Sequence, residues 1–184
     1  MKPIDSLDHR VAVDADIPAI TALMARAIDS LQHGFLAPAQ IAASRAVMGL
    51  DTQLIADGTY FVVERDGRLM GCGGWSRRKT LYGGDHSAGL RDATLLDPAH
   101  DAARIRAMFT DPDAARQGVG RLILRLCKAA AADAGFTRVE IMATLSGEPL
   151  YSACGYLAIE RTAAPPVDGI AVPLVRMGKT LAPS

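Results

Sequence analysis

The sequence predicts an α/β (α+β) fold, in which a mixed central sheet is flanked by helices. The chain has 184 residues, of which 49% are hydrophobic, and this supplies enough apolar surface for one well-packed core. Apolar residues recur at helical spacing in some segments and alternate with polar residues in shorter ones. In chain order the elements read β α α β β β α β α β β, which predicts a single domain over residues 1–184.

The front of the chain predicts one strand and two helices. A short strand lies at Arg10–Val13, and Asp14 or Asp16 suits the cap of the first helix. The apolar face of that helix consists of Ile17, Ile20, Leu23, Met24, Ala27, Ile28 and Leu31. The segment HGFLAPAQ ends it, and Pro38 begins a second helix that runs through about Met48.

The next segment predicts a hairpin and then a long irregular excursion. Two apolar runs, Thr59–Glu64 and Leu69–Arg77, flank Asp66-Gly67, which has the chemistry of a tight hairpin turn. Residues 79–101 lack periodicity and are rich in glycine and aspartate. Long loops of this kind often carry function.

The second half predicts four further strands and two helices. ARIRAMFT is a strand, with Ile105, Ala107 and Phe109 on one face and Arg104, Arg106, Met108 and Thr110 on the other. A helix follows Gly118 and Gly120 and stops at Gly135. TRVEIMAT is a strand, GEPLYSACG a short helix, and YLAIER and GIAVPLVRMGKTL the last two strands.

Composition excludes several classes of protein. Twenty basic residues balance twenty acidic ones, which disfavours nucleic-acid and membrane-surface partners. No apolar run is long enough to cross a bilayer, and MKPIDSLDHR shows no secretory leader. Cys72, Cys127 and Cys154 lack metal-ligand spacing and are expected to be reduced. These features predict a cytoplasmic protein without a metal site.

The loop Arg116-Gln117-Gly118-Val119-Gly120-Arg121 predicts an anion site. It lies between a strand and the start of a helix, where the first amides have no partner inside the helix. The helix dipole and the bare glycine backbone favour a phosphate there. The plain alternative is a glycine turn that leads the chain into a solvated helix.

Two other phosphate motifs fit this loop less well. A Walker loop needs Lys-Ser or Lys-Thr, which is missing here. A dinucleotide fingerprint matches Gly118 and Gly120, with Glu140 at the distance of a ribose contact, but Ile123 replaces its third glycine. A dinucleotide-binding oxidoreductase is therefore the weaker alternative.

Over nearly the whole chain the sequence resembles the GNAT superfamily of acyl-CoA-dependent N-acyltransferases. The resemblance rests on MFTDPDAARQGVG, the helix to Ala134, VEIMAT, and LYSACGY with its Tyr151…Gly155-Tyr156 element. Ala115 replaces the family's glutamine or arginine before the first glycine, with Arg116 one place later. Thr144 stands where the family often has asparagine.

This resemblance implies acetyl-CoA as cosubstrate, with direct transfer of the acetyl group to an amine in a ternary complex and without a metal. The pyrophosphate would lie on the amides of Arg116–Arg121, and the pantetheine arm would pair with Met108, Phe109 and Thr110 where two parallel strands splay apart. Tyr151 matches the family's frequent general acid, and a phenol can protonate a departing thiolate. The oligomeric state stays open, a homodimer included.

The acceptor is expected to be a small-molecule amine. Candidate wall residues are His33, Phe35, Trp75 and Tyr82, and Arg106 is a candidate for binding an anionic group of the acceptor. Pairing of Arg106 with Glu140 is the expected structural alternative. The general base stays unassigned, with Glu64, Asp85 and His86 as the candidates. A chain without a base would fit a CoA-binding sensor of the same fold.

Overall fold

A computed structural model describes residues 7–183 of the chain. Within these residues lies a seven-stranded sheet in the order β1-β2-β3-β4-β5-β7-β6. The strands are β1 (Asp8–Val11), β2 (Tyr60–Arg65), β3 (Arg68–Ser76), β4 (Ala103–Thr110), β5 (Arg138–Thr144), β6 (Leu157–Ala163) and β7 (Pro173–Thr180). Neighbouring strands are antiparallel except β4 and β5, which are parallel. The expectation about a secretory leader falls partly on residues 1–6, outside the described part of the chain.

Helices cover both faces of this sheet, as predicted. They are α1 (Ile17–Leu31), α2 (Pro38–Ser44), α3 (Thr52–Ala56), α4 (Val119–Asp133) and α5 (Glu148–Ala153). Ile20 of α1 shares a buried cluster with Val62, whereas Ile123 of α4 shares another with Val63. Because successive strand residues point to opposite faces, α1 and α4 lie on opposite sides of the sheet. From Leu7 to Pro183, the helices fall short of the length and apolar character that a membrane span requires.

The order differs from the prediction at one helix and two boundaries. Helix α3 was not predicted, because its five residues are too few to show apolar periodicity. Asp51 caps it by accepting a hydrogen bond from the amide of Gln53 at 3.0 Å. Strand β1 lies two residues before the predicted Arg10–Val13, and α2 ends at Ser44 instead of near Met48.

The predicted alternation of β4 is wrong beyond Arg106. Ala107 has a φ of +49°, and the register with β3 shifts there so that two residues of β4 oppose one of β3. This β-bulge exchanges the faces of the strand. Ile105 therefore lies in the α4-side core, whereas Phe109 lies in the α1-side core. Met108 packs on the α4 side.

Strands β4 and β5 separate after a short paired stretch. They pair only between Ala103–Ile105 and Val139–Ile141. β5 stays paired with β7 along its whole length. The sheet consequently opens into a wedge between the C-terminal ends of its two parallel strands.

The hairpin and the excursion are confirmed. Asp66 (φ +52°) and Gly67 (φ +75°) form the turn with the positive φ pair of a type I′ hairpin. Residues 77–102 contain no named strand, and one 3₁₀ turn covers Ala88–Leu90. Arg78 anchors this excursion to the end of α3 by an ion pair of 2.7 Å with Asp57.

Candidate active site

Two cavities meet at the wedge between β4 and β5. The larger, of about 600 Å³, runs from the start of α4 to the end of α1. The smaller, of about 80 Å³, extends towards the segment after α2 and the excursion. Both are lined by Met48, Met108, Phe109, Thr144 and Tyr151. A ligand in either cavity can therefore contact the residues of this junction.

The start of α4 opens into the larger cavity. Gly118 precedes the helix with a φ of +87°, and Arg116 has a φ of +62°. The amide of Leu122 donates to the Gly118 carbonyl at 3.0 Å, so the amides before Leu122 have no partner inside the helix. Free amides at a helix start favour an anion. Arg116, Gly118, Val119, Gly120 and Arg121 all line the cavity.

The side chain of Gln117 stabilises this loop by two hydrogen bonds. Its side-chain oxygen accepts a hydrogen bond from Arg65 at 2.8 Å, and its nitrogen donates to the carbonyl of Asp113 at 3.0 Å. Along the neighbouring strand edge, Met108, Phe109 and Thr110 line the larger cavity. Eight of the nine predicted cofactor residues therefore surround one space, and Gln117 supports it.

Glycines in β3 let α4 approach the sheet closely. A Cβ atom at Gly71 would lie 2.4 Å from Cγ1 of Val119, and one at Gly73 would lie 2.7 Å from Cγ2 of Ile123. This role of the glycines was not predicted from the sequence. The run MGCGG inside a strand could have indicated it, since glycine weakens a strand and often marks a place where another element approaches closely.

Tyr151 lies at the junction of the two cavities. It projects from α5, is 6% exposed, and its hydroxyl lies 4.0 Å from Sδ of Met108. Its ring packs against Gly147, where a Cβ would lie only 2.9 Å from a ring carbon. Burial raises the pKa of Tyr151 well above its ordinary value, so the phenol keeps its proton at neutral pH.

Two hydroxyl groups lie beside Tyr151. Oγ1 of Thr144 is 3.1 Å from Oγ of Ser146 and accepts a hydrogen bond from the amide of Gly147 at 3.2 Å. Thr144 and Ser146 both line the larger cavity. Threonine here offers a hydroxyl at the position where the family often has an amide side chain.

The predicted acceptor residues are only partly brought together. Phe35 lines the larger cavity, whereas Tyr82 and Arg106 line the smaller one. His33 is exposed and lines neither. Trp75 lies in the α4-side core, where its ring packs edge-on against another aromatic ring. The structure therefore places Trp75 away from the wedge.

The predicted pairing of Arg106 with Glu140 is wrong. Nη2 of Arg106 lies 3.1 Å from Oδ2 of Asp51, and its guanidinium donates to two carbonyls of the excursion at 2.8 and 3.3 Å. Glu140 instead pairs with Arg104 at 2.9 Å. The reason is the parallel register, which places Arg104 directly beside Glu140.

The candidate bases lie outside the cavities. Asp85 accepts hydrogen bonds from the start of α3 and from Arg91, and Nε2 of His86 lies 2.8 Å from a carbonyl after α2. Glu64 pairs with Arg10 at 3.0 Å. Neither cavity is lined by an aspartate, a glutamate or a histidine from the described residues. Nor do any three His, Cys, Asp or Glu side chains of residues 7–183 group as metal ligands would.

Several solved structures share this fold. A GCN5-related N-acetyltransferase from Rhodopseudomonas palustris has a TM-score of 0.71 and 16% identity, covering 98% of this chain and 99% of its own. The yncA protein from Salmonella typhimurium, solved with its cofactor acetyl-CoA, has a TM-score of 0.64 and 15% identity, with coverage of 97% and 95%. The ribosomal-protein-S18-alanine N-acetyltransferase from Escherichia coli has a TM-score of 0.58 and 16% identity, with coverage of 97% and 96%.

The sequence also matches a family model directly. No curated protein matches it significantly. The family model, described as the acetyltransferase (GNAT) family, matches residues 21–156 and thereby includes most of α1, the wedge, the start of α4 and Tyr151. The chain therefore belongs to the GNAT family of acetyltransferases, enzymes that use acetyl-CoA as acyl donor.

Proposed function

We propose that this protein transfers the acetyl group of acetyl-CoA directly to an amine of a small molecule, within a ternary complex. The observation that carries the proposal is the larger cavity, which joins the unpaired amides of α4 to Tyr151 at the wedge. The amides at Arg116–Arg121 suit the diphosphate of the coenzyme. The edge of β4 at Met108–Thr110, which β5 leaves unpaired, suits its amide-bearing arm.

The chemistry follows from the groups at the junction. The amine nitrogen attacks the thioester carbonyl carbon, the carbon–sulfur bond breaks, and the sulfur leaves with the bonding electrons. Tyr151 donates its phenolic proton to that sulfur. The amine loses its proton to water, because the described walls offer no carboxylate or imidazole. Backbone amides beside the bulge at Ala107 are our candidates for stabilising the oxyanion.

Two further observations support a small acceptor and a cytoplasmic location. The smaller cavity, of about 80 Å³, suits a small acceptor group. The described cysteines, Cys72, Cys127 and Cys154, are all free thiols, as expected in the cytoplasm.

Calorimetry with CoA tests the anion site. Gly120→Glu places a negative charge in the cavity wall, and we expect it to weaken CoA binding at least tenfold. Gly89→Glu is the control, because it adds the same charge at an exposed position with nothing within 4 Å of its Cβ. Unchanged affinity in Gly120→Glu, or binding of NAD in place of CoA, would show that the loop does not hold the coenzyme.

A CoA-binding sensor without turnover is the second candidate. The lack of a carboxylate or histidine in either described cavity wall favours it. Release of free thiol from acetyl-CoA separates the two functions. An enzyme releases thiol in step with acetylated amine across an amine panel, whereas a sensor binds acetyl-CoA and releases none.

A further inference from the structure

One buried polar atom in the wall of the larger cavity lacks a partner. Gln32 follows the last residue of α1 and is 2% exposed. Its side-chain nitrogen donates to the carbonyl of Ile28 at 3.3 Å and to Oγ of Ser44 at 2.8 Å. Its side-chain oxygen, Oε1, is buried without a hydrogen-bond partner among the described residues. Buried acceptors in folded proteins are nearly always paired, so this one requires an explanation.

The orientation of the Gln32 amide is determined by its neighbours. The Ile28 carbonyl can only accept a hydrogen bond. Oγ of Ser44 donates its own proton to the Ile41 carbonyl at 2.6 Å, so it must accept from Gln32. Both contacts require the nitrogen of Gln32, and an exchanged amide would face two acceptors with its oxygen. The unpaired atom is therefore the carbonyl oxygen.

Because Gln32 lies in the wall of the larger cavity, a ligand in that cavity is our candidate for the missing donor. Gln32 lines the larger cavity together with the apolar side chains of Leu31, Phe35 and Met48. This wall belongs to α1 and the segment that follows, whereas the predicted phosphate site belongs to α4. An N–H group that enters the cavity near the junction can satisfy the oxygen of Gln32.

The charges of the cavity walls restrict the amine that enters. The charged side chains that line the two cavities in residues 7–183 are Arg106, Arg116 and Arg121, all positive. An alkylammonium ion gains no ion pair there, and the walls supply no base to deprotonate it. At pH 7 a peptide-type α-amine is neutral about 250 times more often than a lysine-type ε-amine, from their ordinary pKa values.

We propose that the carbonyl oxygen of Gln32 accepts a hydrogen bond from the acceptor's N–H, and that the site selects weakly basic primary amines. This inference rests on the proposed function, because it concerns the acceptor of that reaction. Gln32 positions a neutral nucleophile without an ion pair. The cavity walls offer no carboxylate that could pair with the same amine in its protonated form.

Two isomeric amines provide the test. Nε-acetyl-lysinamide has only a free α-amine, and Nα-acetyl-lysinamide has only a free ε-amine. We expect the wild type to release thiol at pH 7 at least 50-fold faster with the α-amine. Gln32→Leu should raise the KM for the α-amine about five- to tenfold, the loss of one neutral hydrogen bond, while the Kd for CoA stays unchanged.

Control variants separate this role from a structural one. Gln40→Leu removes the same type of side chain from α2, outside both cavities, and should leave the KM unchanged. Gln32→Glu supplies a carboxylate and should shift the preference towards the ε-amine. The inference is overturned if the wild type prefers the ε-amine, if Gln32→Leu leaves the KM unchanged, or if its effect falls on CoA affinity. Binding of CoA without acetylation of any amine would instead overturn the proposed function, and this inference with it.

Discussion

At the scale of single residues, Arg106 shows how a charge can be buried to hold a loop. Its side chain is 2% exposed, and that of Asp51 is 4% exposed. Burial lowers the pKa of Arg106, while the Asp51 carboxylate opposes this shift. Asp51 also caps α3 and accepts a hydrogen bond from Arg91 at 2.7 Å. This pair therefore joins β4, α3 and the excursion.

Arg106→Ala tests whether this buried pair is structural. We expect a loss of about 3 kcal/mol in the free energy of unfolding, because Asp51 would remain buried with one of its two cationic partners missing. Arg104→Ala, two residues away in the same strand, should cost less, since Glu140 keeps Arg176 at 3.6 Å. Urea titrations measure both. An unchanged stability of Arg106→Ala, with weaker binding of carboxylate-bearing acceptors, would assign the guanidinium to the acceptor instead.

Tyr151→Phe tests the proposed acid. Removing the phenolic proton should lower kcat by about 100-fold or more, since general acids contribute that much, and should leave CoA affinity unchanged. Tyr156→Phe is the matched control. The Tyr156 ring lies 6.0 Å from that of Tyr151, its buried hydroxyl has no partner among the described residues, and it lines neither cavity. Equal rates for the two variants would exclude Tyr151 as the acid.

At the scale of elements, the wedge depends on close packing of α4 and on the bulge in β4. Gly71 is the tighter of the two β3 contacts with α4, because a Cβ there would lie closer to Val119 than a Cβ at Gly73 would lie to Ile123. A Cβ at Gly71 would also lie 3.0 Å from the carbonyl oxygen of Phe109 in β4. The bulge at Ala107 is held by the buried hydroxyl of Tyr60, which donates to the Ala107 carbonyl at 2.6 Å. The close packing of α4 and the bulge in β4 together determine where the α4 amides lie relative to Met108.

Gly71→Ala tests this packing. The added methyl group would overlap Val119 at the first residue of α4, and we expect a loss of about 1–3 kcal/mol in stability together with weaker CoA binding. Gly89→Ala is the control, since its Cβ would meet nothing within 4 Å. Thermal unfolding and calorimetry measure the two effects. Wild-type CoA affinity in Gly71→Ala would show that the position of α4 is insensitive to this contact.

The sequence predicted those features of the fold and of the candidate site that depend on local chemistry. The hairpin turn at Asp66-Gly67 and the helix start at Gly118 follow from glycine conformation and helix capping, which neighbouring residues decide. The bulge at Ala107 could not be predicted, because alanine rarely adopts a positive φ and its partner Tyr60 is 47 residues away. The pairing of Arg106 depends on the same long-range placement.

At the scale of the whole molecule, Asp111 connects the parts that surround the proposed coenzyme site. It is 1% exposed and lies just after β4. Its carboxylate binds Arg26 of α1 at 2.8 Å, Arg68 of β3 at 3.3 Å, and the amide of Asp113 before α4 at 2.9 Å. One side chain thus joins α1 and the turn before α4 to the sheet.

The charge of Asp111 makes this connection dependent on pH. Burial raises the pKa of Asp111, but the hydrogen bonds from the Asp113 amide, Arg26 and Arg68 outweigh it and lower the pKa below its ordinary value of 3.8. Because the pKa of Asp111 is lower in the folded protein, the unfolded chain binds more protons than the folded one at pH values around and below 3.8. The stabilisation is therefore complete well above pH 3.8 and is lost as the pH falls below it.

Asp111→Asn tests this connection across the molecule. The variant cannot ionise at this position, so it should be less stable than the wild type at pH 6 and should lose less further stability between pH 5 and pH 3. Asp113→Asn is the control, because its exposed carboxylate binds the same Arg68 at 2.9 Å but lies at the surface. Urea midpoints at pH 6, 5, 4 and 3 measure the difference. A wild-type pH profile in Asp111→Asn would mean that other carboxylates cause the acid sensitivity, and that α1, β3 and α4 hold together without this charge.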